Sequence, residues 1–191
     1  MTLKTPQKQT NVVNHAPRRS NPARNSVQGK INRAAGRAFE DRIDLTFEYY
    51  KKRGFALIDK TPEPFRVIRR EDGGKFLGVY TKQAQPDYKG IMKGGRTVIF
   101  EAKFTSTDRL QSTAVTETQW EYLTRASELG AWCYILGGFR SGNAYKIPWH
   151  VWRGMKDRYG RKYVTEADLE EFKINVSSTG LLMIFTDKKS T

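Results

Sequence analysis

The sequence contains a single cysteine, Cys133, and no long apolar run. One thiol cannot form an intramolecular disulfide or a cysteine-based zinc site. Cys133 lies in the apolar segment 131–136, which favours a buried structural thiol. No stretch reaches the roughly 18 apolar residues of a spanning helix, and the basic N terminus lacks the apolar region of a secretory signal. We therefore expect a cytoplasmic protein that does not bind membranes.

Acidic residues are also scarce, since Lys and Arg outnumber Asp and Glu by 34 to 20 among 191 residues. The formal net charge is +14, and the isoelectric point is about 9.9. This excess predicts a polyanionic partner, and nucleic acid is favoured because no basic amphipathic helix is evident. The length suits one domain with its own core.

The N-terminal segment has no acidic side chain in residues 1–39. Residues 1–30 are polar and cannot bury enough apolar surface to offset the entropy of ordering. We predict a disordered basic arm over 1–30, followed by one globular domain over 31–191. The arm either binds phosphates or is a solvated tail without a role. The basic residues before residue 40 number eight: Lys4, Lys8, Arg18, Arg19, Arg24, Lys30, Arg33 and Arg37.

Two helices are indicated by apolar spacing and by capping patterns. Apolar residues from Phe39 to Tyr50 recur every three to four positions, which predicts a helix over about 33–53. A second helix is predicted over 116–129, where Thr116 and Gln119 fit a capping box.

Extended segments over 65–70 and 75–81, on both sides of residues 71–74, predict a projecting hairpin. Its mixture of cations and aromatic residues suits insertion into nucleic acid. A two-faced hairpin packed on a core fits the pattern comparably well.

A second hairpin is predicted over 85–104, and the alternation of these elements indicates a mixed sheet flanked by helices. Further strands are predicted over 55–58, 132–137, 145–148 and 181–185, and short helices over 149–156 and 165–172.

The closing strand of the second hairpin carries Glu101 and Lys103 on one face. If this hairpin turns at Gly94 and Gly95, Asp87 lies opposite residue 101 or 102. Two carboxylates so placed can hold Mg²⁺ or Mn²⁺, which would neutralise a phosphate and activate water for phosphodiester hydrolysis. Lys103 would stabilise the developing charge.

A Glu-x-Lys triplet alone is more often part of a solvated strand face. Here it ends an apolar strand, follows Pro86-Asp87 at hairpin distance and lies in a basic chain. Together these features resemble the PD-(D/E)xK nuclease signature. More narrowly, the chain resembles the RecU family of Holliday junction resolvases from about residue 30 to 185, on the segments 32–40, 82–91 and 99–103.

That resemblance implies a restriction-endonuclease-like α/β fold, in which residues 31–191 form the nuclease domain and residues 63–82 form a stalk. It implies a homodimeric endodeoxyribonuclease that cuts four-way DNA junctions by paired symmetric nicks with Mg²⁺, which Mn²⁺ can replace. A recombinase or branch-migration partner is compatible with this activity. The compact, basic chain fits a bacteriophage-encoded member.

The resemblance also suggests roles for individual residues. We expect a catalytic set of Asp87, Glu101, Lys103 and Glu40. The expected metal-binding set is Asp87, Glu101, Gln119 and Gln85. The cations expected to contact DNA are Arg33, Arg37, Arg66, Arg69, Arg70, Lys75 and Lys89.

A purely structural role would also account for some of these residues. Gln119 fits equally well as the third residue of the capping box, and Glu40 as an acid that complements the dipole of the first helix. Cellular members of the family usually carry Thr where this chain has Gln85, and their stalk is longer. The apolar contexts of the tryptophans favour a core position for Trp120, Trp132, Trp149 and Trp152.

Two other functions remain open on the sequence. One is an endonuclease of the same fold that cuts duplex or flap DNA. The other is a non-catalytic DNA-binding recombination protein, for which the carboxylates would be dispensable.

Overall fold

The computed structural model describes residues 22–62, 64–80 and 85–185. The helices are α1 (Pro22–Lys52), α2 (Glu117–Glu128), α3 (Trp149–Arg153) and α4 (Met155–Tyr159), and a 3-10 helix spans Ala167–Phe172. The strands are β1 (Ala56–Lys60), β2 (Phe65–Arg70), β3 (Phe76–Tyr80), β4 (Tyr88–Met92), β5 (Thr97–Thr105), β6 (Leu110–Gln111), β7 (Trp132–Phe139), β8 (Ala144–Pro148) and β9 (Tyr163–Val164).

A five-stranded sheet in the order β1-β4-β5-β7-β8 forms the centre of the domain. β5 and β7 are parallel, whereas the other neighbouring strands are antiparallel. Helices pack on both faces, so the predicted α/β class with a mixed sheet flanked by helices is confirmed. The shorter strands β6 and β9 pair separately.

Both faces of β5 are buried, which explains why its sequence is apolar without interruption from Val98 to Phe100. On one face, Val98 and Phe100 pack with the apolar side of α1. On the other, Ile99 packs with Leu123 of α2 and with the tryptophans of α3. The strand that carries Glu101 is therefore covered on both faces of the sheet.

The first helix is longer than its sequence predicts. α1 begins at Pro22 rather than near Arg33, so residues 22–30 of the expected arm are helical. Proline is well suited to a first helical position because the missing N–H has no partner there. The prediction was wrong because apolar periodicity detects only the part of a helix that packs on a core. The rest of the arm, residues 1–21, lies outside the described residues.

The hairpin of β2 and β3 projects from the domain as predicted. Every residue of β2 is exposed, and the two strands form a sheet of their own. A packed, two-faced hairpin is therefore wrong. Phe65 and Phe76 pack against each other at 5.3 Å between ring centroids. Lys75 and Glu71 close the tip through a backbone hydrogen bond of 2.9 Å.

Three smaller predictions were wrong. Residues 181–185 form no strand, because Leu182 makes only an isolated bridge to Val176. The predicted helix 149–156 is divided into α3 and α4 at Gly154. Trp132 is 45% exposed, since it begins β7 at the end of the sheet, and Arg96 covers its ring at 5.0 Å.

No described helix combines the length and apolar character needed to cross a bilayer.

The spacing between β1 and β4 leads to a prediction about Gly90. A Cβ atom on this residue would lie 2.1 Å from the carbonyl oxygen of Leu57. We expect Gly90→Ala to destabilise the protein by about 3 kcal/mol or more, because backbone atoms must shift. At Gly36 in α1 a Cβ would meet nothing within 4 Å, and Gly36→Ala should add roughly 0.5–1 kcal/mol. Urea unfolding of both variants tests this, and similar effects would contradict it.

Candidate active site

Asp87 and Glu101 lie opposite each other at the ends of neighbouring strands. Tyr88 pairs with Phe100, and the next step of this register places Asp87 against Glu101. The Ala102 N–H donates to Asp87 Oδ2 at 2.9 Å, and the Asp87 N–H donates to Glu101 Oε2 at 3.2 Å. The juxtaposition predicted from the hairpin turn is confirmed.

The Glu101 side chain is completely buried. Its Oε1 accepts a hydrogen bond of 2.6 Å from Gln119 Nε2 and lies 2.7 Å from Lys103 Nζ. Lys103 is itself only 19% exposed. The alternative of a solvated strand face is therefore wrong for Glu101. A buried carboxylate held by an ammonium group and an amide is costly to desolvate and unusual without a function.

Desolvation dominates the electrostatics of the carboxylate pair. The pKa of Glu101 is raised to about 7, mainly by burial and then by the negative charge of Asp87, while Lys103 opposes both effects. Burial also raises the pKa of Asp87, against the opposing effects of the Ala102 N–H and Lys103. Two acids thus share one ammonium group in a partly dry site, and an additional positive charge would stabilise both in the ionised form.

The donor set fits a divalent cation with oxygen ligands. Asp87 and Glu101 offer hard carboxylate oxygens from two strands. Within residues 22–62, 64–80 and 85–185, no group of three or more His, Cys, Asp or Glu side chains could hold a metal ion. Mg²⁺ commonly binds through one or two carboxylates and completes its shell with water and substrate phosphate. Two protein carboxylates are therefore sufficient.

Gln119 contacts both Thr116 and Glu101. On the sequence alone, a role in the helix cap and a role at the carboxylates were alternatives. Thr116 and Gln119 form the predicted capping box at the start of α2. The Gln119 Oε1 accepts from the Thr116 N–H at 3.0 Å, while its Nε2 donates to Glu101. The cap thereby orients the amide group, and the amide orients Glu101. In this arrangement the Gln119 oxygen is engaged in the cap rather than turned towards the carboxylates.

Glu40 and Gln85 lie at the margin of the pair. Glu40 Oε2 is 2.8 Å from Lys60 Nζ, and the charge of Glu40 contributes to the raised pKa of Asp87. Gln85 is exposed and accepts a hydrogen bond from Lys89 Nζ. Their catalytic and metal-binding roles stay predictions.

Sequence reasoning missed three residues beside Glu40, namely Asp44, Lys60 and Tyr88. The Tyr88 hydroxyl donates to Asp44 Oδ1 at 2.6 Å, and Lys60 Nζ lies 3.5 Å from Asp44 Oδ2. One signal was available, because Asp44 follows Glu40 by one helical turn and so lies on the same face of α1. The position of Lys60 on the neighbouring strand left no such signal.

The cations expected to contact DNA occupy three places. Arg33 and Arg37 are exposed on α1, and Lys89 lies on β4 two residues after Asp87. The hairpin of β2 and β3 exposes the others, and there Arg69 pairs with Glu71 at 2.8 Å. The hairpin set is Arg66, Arg69, Arg70 and Lys75.

A mixed α/β domain with Pro86-Asp87 on one strand end and Glu101-Ala102-Lys103 on the next has the PD-(D/E)xK arrangement. The model of one family with this arrangement, Recombination protein U (RecU), matches residues 34–186. The chain belongs to the RecU family.

Several relatives are named Holliday junction resolvase RecU. The Geobacillus kaustophilus protein is 36% identical over 90 residues, which cover 44% of each chain. The Streptococcus gordonii protein is 32% identical over 122 residues, or 59% of this chain and 60% of the relative. The Bacillus pumilus protein is 29% identical over 147 residues, or 71% and 70%. The chain thus spans less than two thirds of the first two relatives.

Among solved structures, the chain is similar to Archaeoglobus fulgidus Hjc, described as a Holliday junction resolvase from an archaeal hyperthermophile. The TM-score is 0.42 at 16% identity, and the match covers 74% of this chain and 92% of that chain.

The raised pKa of Glu101 predicts how stability depends on pH without metal. Glu101 titrates near 4.5 in the unfolded chain but near 7 in the folded protein. The unfolded chain releases this proton first as pH rises, so the free energy of unfolding should fall between these two values. Glu101→Gln stays neutral and should lose this part of the pH dependence.

Urea unfolding in EDTA at several pH values measures this effect. Glu48→Gln is the matched control, because Glu48 is exposed and pairs within α1 with Lys52 at 3.6 Å. An unchanged pH dependence in Glu101→Gln would show that Glu101 is ionised in the folded protein throughout the range.

Proposed function

We propose that this protein is a structure-selective endonuclease that resolves four-way DNA junctions by paired symmetric nicks. One observation carries the proposal: the buried Glu101 lies against Asp87 and within 2.7 Å of Lys103 Nζ. This arrangement suits metal-dependent phosphodiester hydrolysis. Membership of the RecU family and relatives named as Holliday junction resolvases support the four-way junction as substrate.

Asp87 and Glu101 are the proposed ligands of Mg²⁺, for which Mn²⁺ can substitute. Such a cation, when bound, neutralises charge on the scissile phosphate and lowers the pKa of a water molecule. Gln85 and Gln119 remain proposed as further ligands. The observed orientation of Gln119 supports a second role for it, as the residue that fixes the Glu101 carboxylate.

Lys103 and Glu40 complete the proposed catalytic set. Lys103 holds an ammonium group beside Glu101, where it can stabilise negative charge that develops on the phosphate. Glu40 adds negative charge near Asp87. Lys103 lies on the central strand β5, and Glu40 lies on α1, which packs against the sheet.

The exposed hairpin is the proposed element that recognises the branch. Arg66, Arg70 and Lys75 can contact phosphates, while the exposed apolar side chains can meet unstacked bases at the centre of a junction. Arg33 and Arg37 would bind the duplex arms, with Lys89 nearer the scissile phosphate.

Paired nicks require two active sites, so we propose a homodimer that binds one junction. The two-fold symmetry of such a dimer would match the two cuts. A recombinase or branch-migration motor would be a suitable protein partner.

Cleavage of a labelled immobile four-way junction, beside a duplex of the same arm sequence, tests the function. With Mg²⁺ we expect symmetric nicks in the junction alone. Asp87→Asn should reduce the rate by roughly 100-fold or more while binding persists, because it removes one carboxylate of the cation site. Asp59→Asn is the matched control, since Asp59 is an exposed acid on β1 that pairs with Lys51 at 3.5 Å.

Equal cutting of junction and duplex would favour a general endonuclease. Tight binding without cutting, with either Mg²⁺ or Mn²⁺, would favour a non-catalytic DNA-binding protein. Full activity of Asp87→Asn would reject the proposed site.

Deletion of residues 71–75 removes the hairpin tip and leaves the central five-stranded sheet intact. We expect this variant to lose preference for the junction over duplex by roughly 10-fold or more, since branch contacts distinguish the two substrates. Competition binding in EDTA measures the preference apart from cleavage. An unchanged preference would show that the hairpin does not recognise the branch.

A further inference from the structure

A chain of polar contacts links α1 and β1 to the strand end that carries Asp87. Lys60 Nζ lies 2.8 Å from Glu40 Oε2 and 3.5 Å from Asp44 Oδ2. The two acids are one helical turn apart, so one ammonium group bridges them. Without Lys60, Glu40 and Asp44 would repel each other.

The buried end of this chain of polar contacts, the hydrogen bond between Tyr88 and Asp44, is rigid. Tyr88 is 1% exposed, and its hydroxyl donates to Asp44 Oδ1 at 2.6 Å. Its ring packs edge-on against Phe47 at 5.2 Å between centroids. In the sheet Tyr88 pairs with Lys60 on one side and with Phe100 on the other. The ring is therefore fixed between the sheet and α1, and its hydroxyl gives Asp44 a defined position.

The exposed end of this chain of polar contacts, formed by Lys60 and Glu40, needs support from the buried end. Glu40, Asp44 and Lys60 are each about half exposed, at 46%, 43% and 47%. An exposed glutamate on a helix samples several rotamers, and an isolated surface ion pair restrains it weakly. Here Lys60 is held by two acids, and one of them is anchored by a buried hydroxyl. This arrangement restrains Glu40 more than a simple surface pair would.

We propose that Lys60 and Asp44 are positioning residues that hold the Glu40 carboxylate beside Asp87. Tyr88 anchors Asp44, Asp44 orients Lys60, and Lys60 orients Glu40. The inference rests on the proposed function, in which Asp87 and Glu101 hold a cation and Glu40 contributes charge beside them. Neither Lys60 nor Asp44 needs to touch the cation or the DNA.

The proposal makes a prediction opposite to that of simple electrostatics. Removal of a positive charge near a cation site should tighten cation binding if charge alone matters. If Lys60 positions Glu40, Lys60→Met should instead weaken Mn²⁺ binding, by roughly 3–10-fold on the scale of a lost charge-assisted contact. Lys60→Arg keeps the charge and the donors, and it should retain most of the affinity.

Isothermal calorimetry with Mn²⁺ and no DNA measures this affinity on the full chain. Lys51→Met is the matched control, because Lys51 joins the same helix and strand through Asp59 at 3.5 Å but contacts neither Glu40 nor Asp44. It should bind Mn²⁺ as the native chain does. Lys60→Met should have no further effect in a Glu40→Gln background, because the two residues then act as one unit.

A second measurement separates positioning from general destabilisation. Tyr88→Phe changes no charge, and at saturating Mn²⁺ it should lower kcat for junction cleavage with little change in KM.

Tighter Mn²⁺ binding by Lys60→Met, or additive effects with Glu40→Gln, would overturn the proposal. If Asp87→Asn leaves Mn²⁺ binding intact, the proposed cation site itself is wrong. If Asp87→Asn abolishes binding and Lys60→Met matches Lys51→Met, only the positioning role is wrong.

Discussion

The burial of the Glu101 carboxylate is the constraint on which the site depends. A fully enclosed negative charge requires compensation from every side. Lys103 supplies charge, Gln119 supplies an amide donor, and the backbone of Asp87 supplies an N–H group. Each partner comes from a different part of the fold: the same strand, the first turn of α2 and the start of β4. The position of Glu101 therefore depends on the cap of α2 and on the register between β4 and β5, and it sets the chemistry of the site.

The compensation is incomplete, and this has a functional meaning. With Lys103 as the neighbouring ammonium group, two carboxylates remain partly unneutralised, and the pKa of each is raised. The folded protein thus retains an electrostatic cost at neutral pH that a divalent cation would relieve. Strain of this kind is expected at sites that bind a charged ligand rather than at sites that only stabilise the fold. The helix α1 adds Glu40 to the same region, with Lys60 to moderate its charge.

Much of this site could be predicted from local sequence. The pair of glycines at 94 and 95 set the hairpin turn, and counting from it placed Asp87 opposite residue 101 or 102. Alternation along β5 placed Lys103 beside Glu101. The capping box was also predicted, because Thr116 and Gln119 satisfy each other within one turn. The contacts of Lys60 and Tyr88 with α1 were missed, because they join segments whose relative placement depends on packing.

The sequence by itself determined the class of fold, the strand register at the site to within one residue and the chemistry open to its carboxylates, since these follow from short-range periodicity and turn geometry. Tertiary structure alone decided that both faces of β5 are covered and that Glu101 is therefore buried instead of solvated. It also decided that the Gln119 amide, already used in a cap, reaches Glu101. Burial depends on which elements pack together, and no local pattern in the chain specifies the solvent exposure of a charged residue.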